Sequence, residues 1–215
     1  NPTGAVLSET EIDAIGDVCE RHDLWIICDE VYADMTYDAP FCSPFDRKQL
    51  RHRTLAVSSI SKSHALPGFR AGWVACPAAV TPRLVLVAEA MLFGSQPFIE
   101  DALVVALTEQ HDEVQRMRVA YRERAQVLVE AINGSDAVSA RMPEGGMFVM
   151  VDVRATKLSG EEFAWKLLDD HNIGVMPGES FGLGGAGHIR IALTVDASVL
   201  RKACETIRTM AEALI

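Results

Sequence analysis

The chain has 215 residues, 49% hydrophobic and 23% charged, enough to bury a sizeable core in one large or two small domains and unlike a disordered segment. Its 30 acidic against 20 basic residues leave a net charge of −10, whose field repels phosphate backbones and anionic membranes, so nucleic acid and membrane surfaces are not expected partners. The longest clear apolar run, Leu84–Ala90, is broken by Glu89 and falls far short of the ~20 residues a membrane span needs, so a soluble protein is expected.

Ser8-Glu9-Thr10-Glu11 has the form of a capping box, and Ile12, Ile15, Val18 and Cys19 follow at helical spacing, predicting a helix over Ser8–His22. Leu24–Cys28 is a continuous apolar run ending in Asp29-Glu30, which predicts a strand of a parallel sheet covered on both faces. Thr54–Ser58 and Ala71–Ala75 read the same way. This order of helix and buried strands predicts an open α/β sheet, in which ligands bind beyond the carboxyl ends of the strands. Polar residues just after each strand are therefore the first candidates for a site.

Helices are predicted at Pro82–Leu92 and Pro97–Glu109, separated by Gly94-Ser95-Gln96, and at Asp112–Ile132, which Asn133-Gly134 stops. Strands at Ala137–Arg141 and Met147–Val153 come next, then a helix over Ser159–His171 with a second capping box in Ser159 and Glu162. Short strands near Val175 and Ile189 and a final helix over Ala197–Leu214 complete an α+β unit. The domain boundary is expected inside the long helix, giving residues 1–118 and 119–215.

Five scattered cysteines without any C-x-x-C pair argue against a disulfide framework and a zinc site, and suit a reducing cytoplasm. His64 and His188 lack a serine or carboxylate at triad spacing and are read as structural. The glycine-rich run Gly182–Gly187 precedes a strand and has no P-loop lysine, so it is read as a mobile loop. Asn1-Pro2-Thr3-Gly4 shows no signal peptide and reads as an interior turn, so truncation or processing is expected.

Asn1-Pro2-Thr3-Gly4 resembles an N-P-x-G turn, Asp29-Glu30-Val31-Tyr32 a D-x-x-Y strand end, and Ser59-Ile60-Ser61-Lys62 with Arg70 an S-x-S-K-x7-R loop. Together with Arg190 in His188–Leu193, these ordered elements resemble the class I and II aminotransferases of the fold-type-I pyridoxal-phosphate enzymes. The resemblance implies an α/β fold: part of a large domain with a mainly parallel sheet and helices on both faces (1–118), then a small C-terminal α+β domain (119–215). The implied cofactor is pyridoxal 5'-phosphate, and the implied reaction moves an amino group from an amino acid to a 2-keto acid through an aldimine at Lys62.

The chemistry needs these residue types. A lysine amine condenses with the cofactor aldehyde and, once freed, carries a proton between carbons, which makes Lys62 the catalytic residue. A carboxylate beside the ring nitrogen keeps the ring electron-poor, the role the resemblance gives Asp29. Asn1 and Tyr32 are implied to hydrogen-bond the phenolic oxygen, and Ser59 and Arg70 to clamp the phosphate. Arg190 is implied to grip the substrate carboxylate in a fork. The bland alternatives are a helix cap for Asp29, a turn former for Asn1, core packing for Tyr32, and an ion pair of Arg190 with Asp152 or Glu179.

The resemblance also implies that the chain is the C-terminal part of such an enzyme, lacking a phosphate-binding turn and a ring-stacking aromatic residue, and poorly active alone. Met91–Ile99 and Glu144–Arg154 are similar to arginine-pyruvate transaminases, implying arginine and pyruvate as substrates, and Glu144–Phe148 is implied to pass close to them. A homodimer is expected by the same resemblance. A β-lyase on the same scaffold and the aminotransferase-like sensing domain of a transcription regulator are the alternatives.

Overall fold

The structure is a computed structural model and describes residues 1–109 and 112–215. The chain divides into two compact units, Val6–Arg116 and a second made of Met117–Ile215 together with Asn1–Ala5.

In Val6–Arg116, α1 (Glu9–Arg21) starts at Ser8, whose side chain and Glu11 form the reciprocal capping box. A three-stranded sheet follows, with β1 (Ile26–Asp29), β2 (Thr54–Ser59) and β3 (Gly72–Ala75) in that order. β1 and β2 are parallel, Asp29 lying opposite Val57. β3 runs antiparallel to β2, which corrects the expectation that it reads like the other two. The cause is local: after β2 the short helix α2 (Ile60–Ser63) and a 3-10 turn at Pro67–Phe69 reverse the chain at the same end of the sheet. No crossover is then needed to bring β3 alongside.

Coverage of this sheet also departs from the expectation. Thr54 and Ala56 are buried, whereas on the opposite face Ile27 is 73% exposed and Val74 is exposed, so that face of the sheet is poorly covered among the described residues. Helices α3 (Thr81–Leu92) and α4 (Pro97–Thr108) complete the unit, with Pro at an opening position of each.

The second unit is built on α5 (Asp112–Ile132), of which Met117 onward belongs here, and an antiparallel sheet of β4 (Ser139–Ala140), β5 (Phe148–Asp152), β6 (Met176–Pro177) and β7 (His188–Ala192) in the order β4-β5-β7-β6. Asn133, past the end of α5, uses its side-chain amide to bond both the N–H and the carbonyl of Ala140 (2.8 and 2.9 Å), so the residue that stops the helix also sets the edge strand. Val149 and Val151 of β5 and Ile189 and Ile191 of β7 are buried. They share the core with Leu128 and Ile132 of α5, Phe163 and Leu167 of α6 (Gly160–His171), and Leu200 and Ile207 of α7 (Ala197–Glu212). Strand alternation therefore points the residues between them to the other face of the sheet.

Phe163 is fully buried, so Phe163→Ala should destabilise this unit by about 3–5 kcal/mol, measured by denaturant unfolding. The capping carboxylate of α6 gives a pH-dependent counterpart. The Ser159 N–H and hydroxyl both donate to Glu162 at 2.8 Å and hold its pKa below the ordinary glutamate value. Such a group favours the fold above the ordinary glutamate range and loses that contribution as pH falls through its lowered pKa. Glu162→Gln should therefore flatten the acid limb of the stability profile, its difference from wild type shrinking as pH falls, measured by denaturant unfolding across pH.

Candidate active site

The predicted site residues fall into two groups, one in each unit. In Val6–Arg116 the parallel pairing of β1 and β2 carries Asp29 and Ser59 to the same end of the sheet. The pairing runs one residue further, with Glu30 N–H donating to the Val57 carbonyl at 2.8 Å. Beyond Ser59 the chain turns directly into α2: the Ser59 hydroxyl accepts from Ser61 N–H at 3.3 Å and caps the helix on which Lys62 sits. Helix α2 lies against the 3-10 turn Ala33–Met35 that follows Tyr32, and against the turn Pro67–Phe69 that precedes Arg70. Asp29, Tyr32, Ser59, Lys62 and Arg70 thus stand on contiguous elements at the carboxyl end of the strand pair.

Their present partners differ. Among the described residues Lys62 makes no ion pair or side-chain hydrogen bond, and it is partly buried. Asp29 is exposed and accepts one bond, from Val31 N–H at 3.2 Å. Arg70 adopts a left-handed backbone (φ 54°) and donates from one guanidinium nitrogen to the Pro67 carbonyl at 2.8 Å. Near Asp29, burial first and then the carboxylate of Glu30 push the Cys28 thiol up to about 12, which disfavours its thiolate. Burial also raises Glu30 above the ordinary range, opposed by the Ser43 hydroxyl that donates to it.

In the second unit Asn1 and Arg190 meet directly: Arg190 Nη1 donates to Asn1 Oδ1 at 2.9 Å. The turn that carries Asn1 is pinned by the Gly4 carbonyl, which accepts from Glu144 and Gly145 N–H at 2.8 and 3.1 Å. The glycine-rich approach to β5 and the Asn-Pro-Thr-Gly turn are therefore one structure. Gly4 has φ 74°, and a Cβ there would press on Pro143. The ion pairs weighed for Arg190 do not form, since Asp152 is taken by Arg154 (2.6 Å) and Glu179 by backbone N–H groups.

Two aromatic partners of Arg190 escaped the sequence reading. Its guanidinium carbon lies over the Phe148 ring at 5.1 Å and over the Phe181 ring at 4.6 Å. Met150 is the register partner of Arg190, so Phe148 is its diagonal neighbour on the same face. Phe148 could have been found from period two once the register was known; Phe181 comes from a loop and had no periodic signal. A cleft of about 630 Å³ opens on this face, lined by Thr3, Arg141, Met150, Asp152, Phe181 and His188 among others.

His64 and His188 have local partners, the Ser63 hydroxyl at 2.8 Å and the Ala186 carbonyl at 2.9 Å. No cluster of metal-binding side chains occurs among the described residues, and no described helix is long and apolar enough to cross a membrane. All five cysteines are free thiols. Within the Gly182–Gly187 run, Leu183–Gly185 forms a 3-10 turn; another, Gly178–Phe181, precedes the run, and Gly178 and Gly185 pack backbone to backbone.

Among known proteins, the chain is 44% identical over its full length to arginine–pyruvate transaminase AruH of Pseudomonas aeruginosa, covering 55% of that protein. It is 31% identical over 194 residues to the aspartate aminotransferase of Musicola paradisiaca, covering 89% of this chain and 48% of the relative. The chain thus spans about half the length of the curated relatives it matches. In three dimensions it matches the aromatic aminotransferase of Pyrococcus horikoshii with a TM-score of 0.95 at 30% identity, covering 99% of this chain and 58% of that one. A PLP-bound protein from Clostridium difficile 630 shares the fold, with a TM-score of 0.89 at 24% identity over 98% of this chain and 56% of that one. The mixed α/β architecture is thus that of part of a fold-type-I aminotransferase. Residues 1–207 match the model of the family described as aminotransferase class I and II, and on these grounds the chain belongs to the class I and II aminotransferases.

Proposed function

We propose that this chain carries the catalytic part of a pyridoxal-phosphate-dependent transaminase that moves the amino group of arginine to pyruvate. The observation that carries the reading is Lys62: a partly buried amine uncommitted among the described residues, on a helix capped by Ser59 at the carboxyl end of the β1–β2 pair that also ends in Asp29. The relative named for arginine and pyruvate, 44% identical along the whole chain, supports the choice of substrates. Residues 1–118 would hold the cofactor and 119–215 form a small domain. The family's usual arrangement supports a homodimer, and free thiols support a cytoplasmic setting.

The donor set fits pyridoxal phosphate chemically: an amine for its aldehyde, a carboxylate for its ring nitrogen, and a hydroxyl and a guanidinium for its phosphate. When bound, that cofactor supplies an electron sink for the bond broken at the substrate carbon. Lys62 would attach it and, once released, take a proton from that carbon and return it elsewhere. Asp29 would face the ring nitrogen, and Tyr32 and Asn1 would donate to the phenolic oxygen. Ser59 and Arg70 would hold the phosphate, Arg70 by forked, charge-assisted bonds. Arg190 would take the substrate carboxylate and fix the orientation of the bond to be broken.

Borohydride treatment after addition of pyridoxal phosphate should label the peptide containing Lys62, as read by mass spectrometry. Lys62→Ala should remove the label and lower pyruvate-dependent consumption of arginine by about 10²–10⁴ or more. A label on another lysine, or ammonia release from the amino acid without any keto acid, would overturn the reading.

A further inference from the structure

Glu179 sits on the 3-10 turn Gly178–Phe181, and its Oε1 accepts two backbone bonds from segments remote in sequence. One comes from Gly160 N–H, at the first turn of α6 (2.8 Å); the other comes from Gly187 N–H, just before β7 (2.9 Å). A carboxylate at a helix N-terminus is favoured by the helix dipole and by the unpaired N–H groups there. The fit is close, because a Cβ on Gly160 would strike the His188 carbonyl and crowd Glu179 Oε2, which is buried without a hydrogen-bond partner among the described residues. One side chain thus joins the 3-10 turn, α6 and β7.

Two residues on from this staple, Phe181 lays its ring over the guanidinium of Arg190. The loop beyond it is tied by its own backbone bonds, Gly185 N–H to the Gly182 carbonyl at 3.0 Å and Ala186 N–H to the Leu183 carbonyl at 3.2 Å, while Leu183 is 97% exposed. A guanidinium held against aromatic rings loses less freedom when a carboxylate arrives, and is more attractive to it than one that wanders. We propose that Glu179 is a positioning residue for the substrate carboxylate: it fixes the loop that keeps Phe181 over Arg190, so that Arg190 is pre-set to receive its ligand. This rests on the reading of Arg190 as the carboxylate-binding residue.

The test is a kinetic and spectroscopic cycle on the protein loaded with pyridoxal phosphate. Glu179→Ala should raise KM for both the amino acid and the keto acid about tenfold, with kcat within about threefold, because ground-state and transition-state grip on the carboxylate are lost alike. Glu179→Gln keeps an acceptor oxygen and should restore most of the loss. Phe181→Leu should reproduce the KM change, and adding Glu179→Ala to it should cost nothing further. The Arg190 Nε–H resonance, shielded by the rings, should move downfield in Glu179→Ala and Phe181→Leu but not in Glu179→Gln. A Glu179→Ala variant that melts earlier with KM and the Arg190 resonance unchanged, or a double variant whose losses multiply, overturns the proposal. If Glu179→Ala does not fold, Glu179→Asp, whose shorter side chain weakens the bonds to Gly160 and Gly187 N–H, takes its place in the same cycle: a KM change that persists undiminished on Phe181→Leu overturns the proposal, and one that vanishes there supports it. Arg190→Lys separates the two readings. If it leaves KM unchanged, the carboxylate role of Arg190 falls and the proposal with it; if it raises KM while Glu179→Ala does not, only the proposal falls.

Discussion

The pairing of β5 with β7 governs the small unit, because it decides which way every side chain on the two strands points. With Met150 opposite Arg190 and Val151 opposite Ile189, the branched apolar residues of both strands enter the core together. A slip of one residue would bury the Arg190 guanidinium and expose Ile189 and Ile191, which is far too costly to compete. The hydrophobic core thus aims the arginine outward onto the face where Asn1, Phe148 and Phe181 await it. Stability and the carboxylate grip proposed for Arg190 come from the same alternation.

A different device serves the other unit. There the end of a strand is converted at once into a helix: Ser59 closes β2 and caps α2, so that Lys62 follows the sheet edge by three residues. Few degrees of freedom separate the lysine from the parallel pair that ends in Asp29. Short connections of this kind let a sheet place chemical groups at its carboxyl edge without a long loop to be ordered.

Much of this was legible before any coordinates. The two capping boxes, at Ser8 and Ser159, announced their helices because an S-x-x-E pattern satisfies specific backbone groups whatever the tertiary context. The ordered spacing of Asp29, Ser59, Lys62, Arg70 and Arg190 was legible as a family pattern. Strand direction was not: Gly72–Ala75 has the apolar content of a buried parallel strand, and only the reversal through Leu66-Pro67-Gly68 makes it antiparallel. Nor did composition foretell the bare face carrying Ile27, since apolar content gives the tendency to be covered and not what covers. Phe181 lies in a loop, where neither period two nor period 3.6 operates, so its contact with Arg190 could be seen only in the fold, as could the backbone partners that Glu179 takes in place of that arginine.

The bonds from Glu144 and Gly145 to the Gly4 carbonyl make the second unit discontinuous in sequence, since Asn1–Ala5 joins Met117–Ile215 across the whole of Val6–Arg116. On a ribosome the first five residues must wait for the intervening unit to be made before their partners exist. Closing so long a loop adds little to the equilibrium cost but delays the contact that completes the Arg190 face. The contact between Asn1 and Arg190 therefore forms only after the intervening unit has been made, which makes the Arg190 face a late product of synthesis.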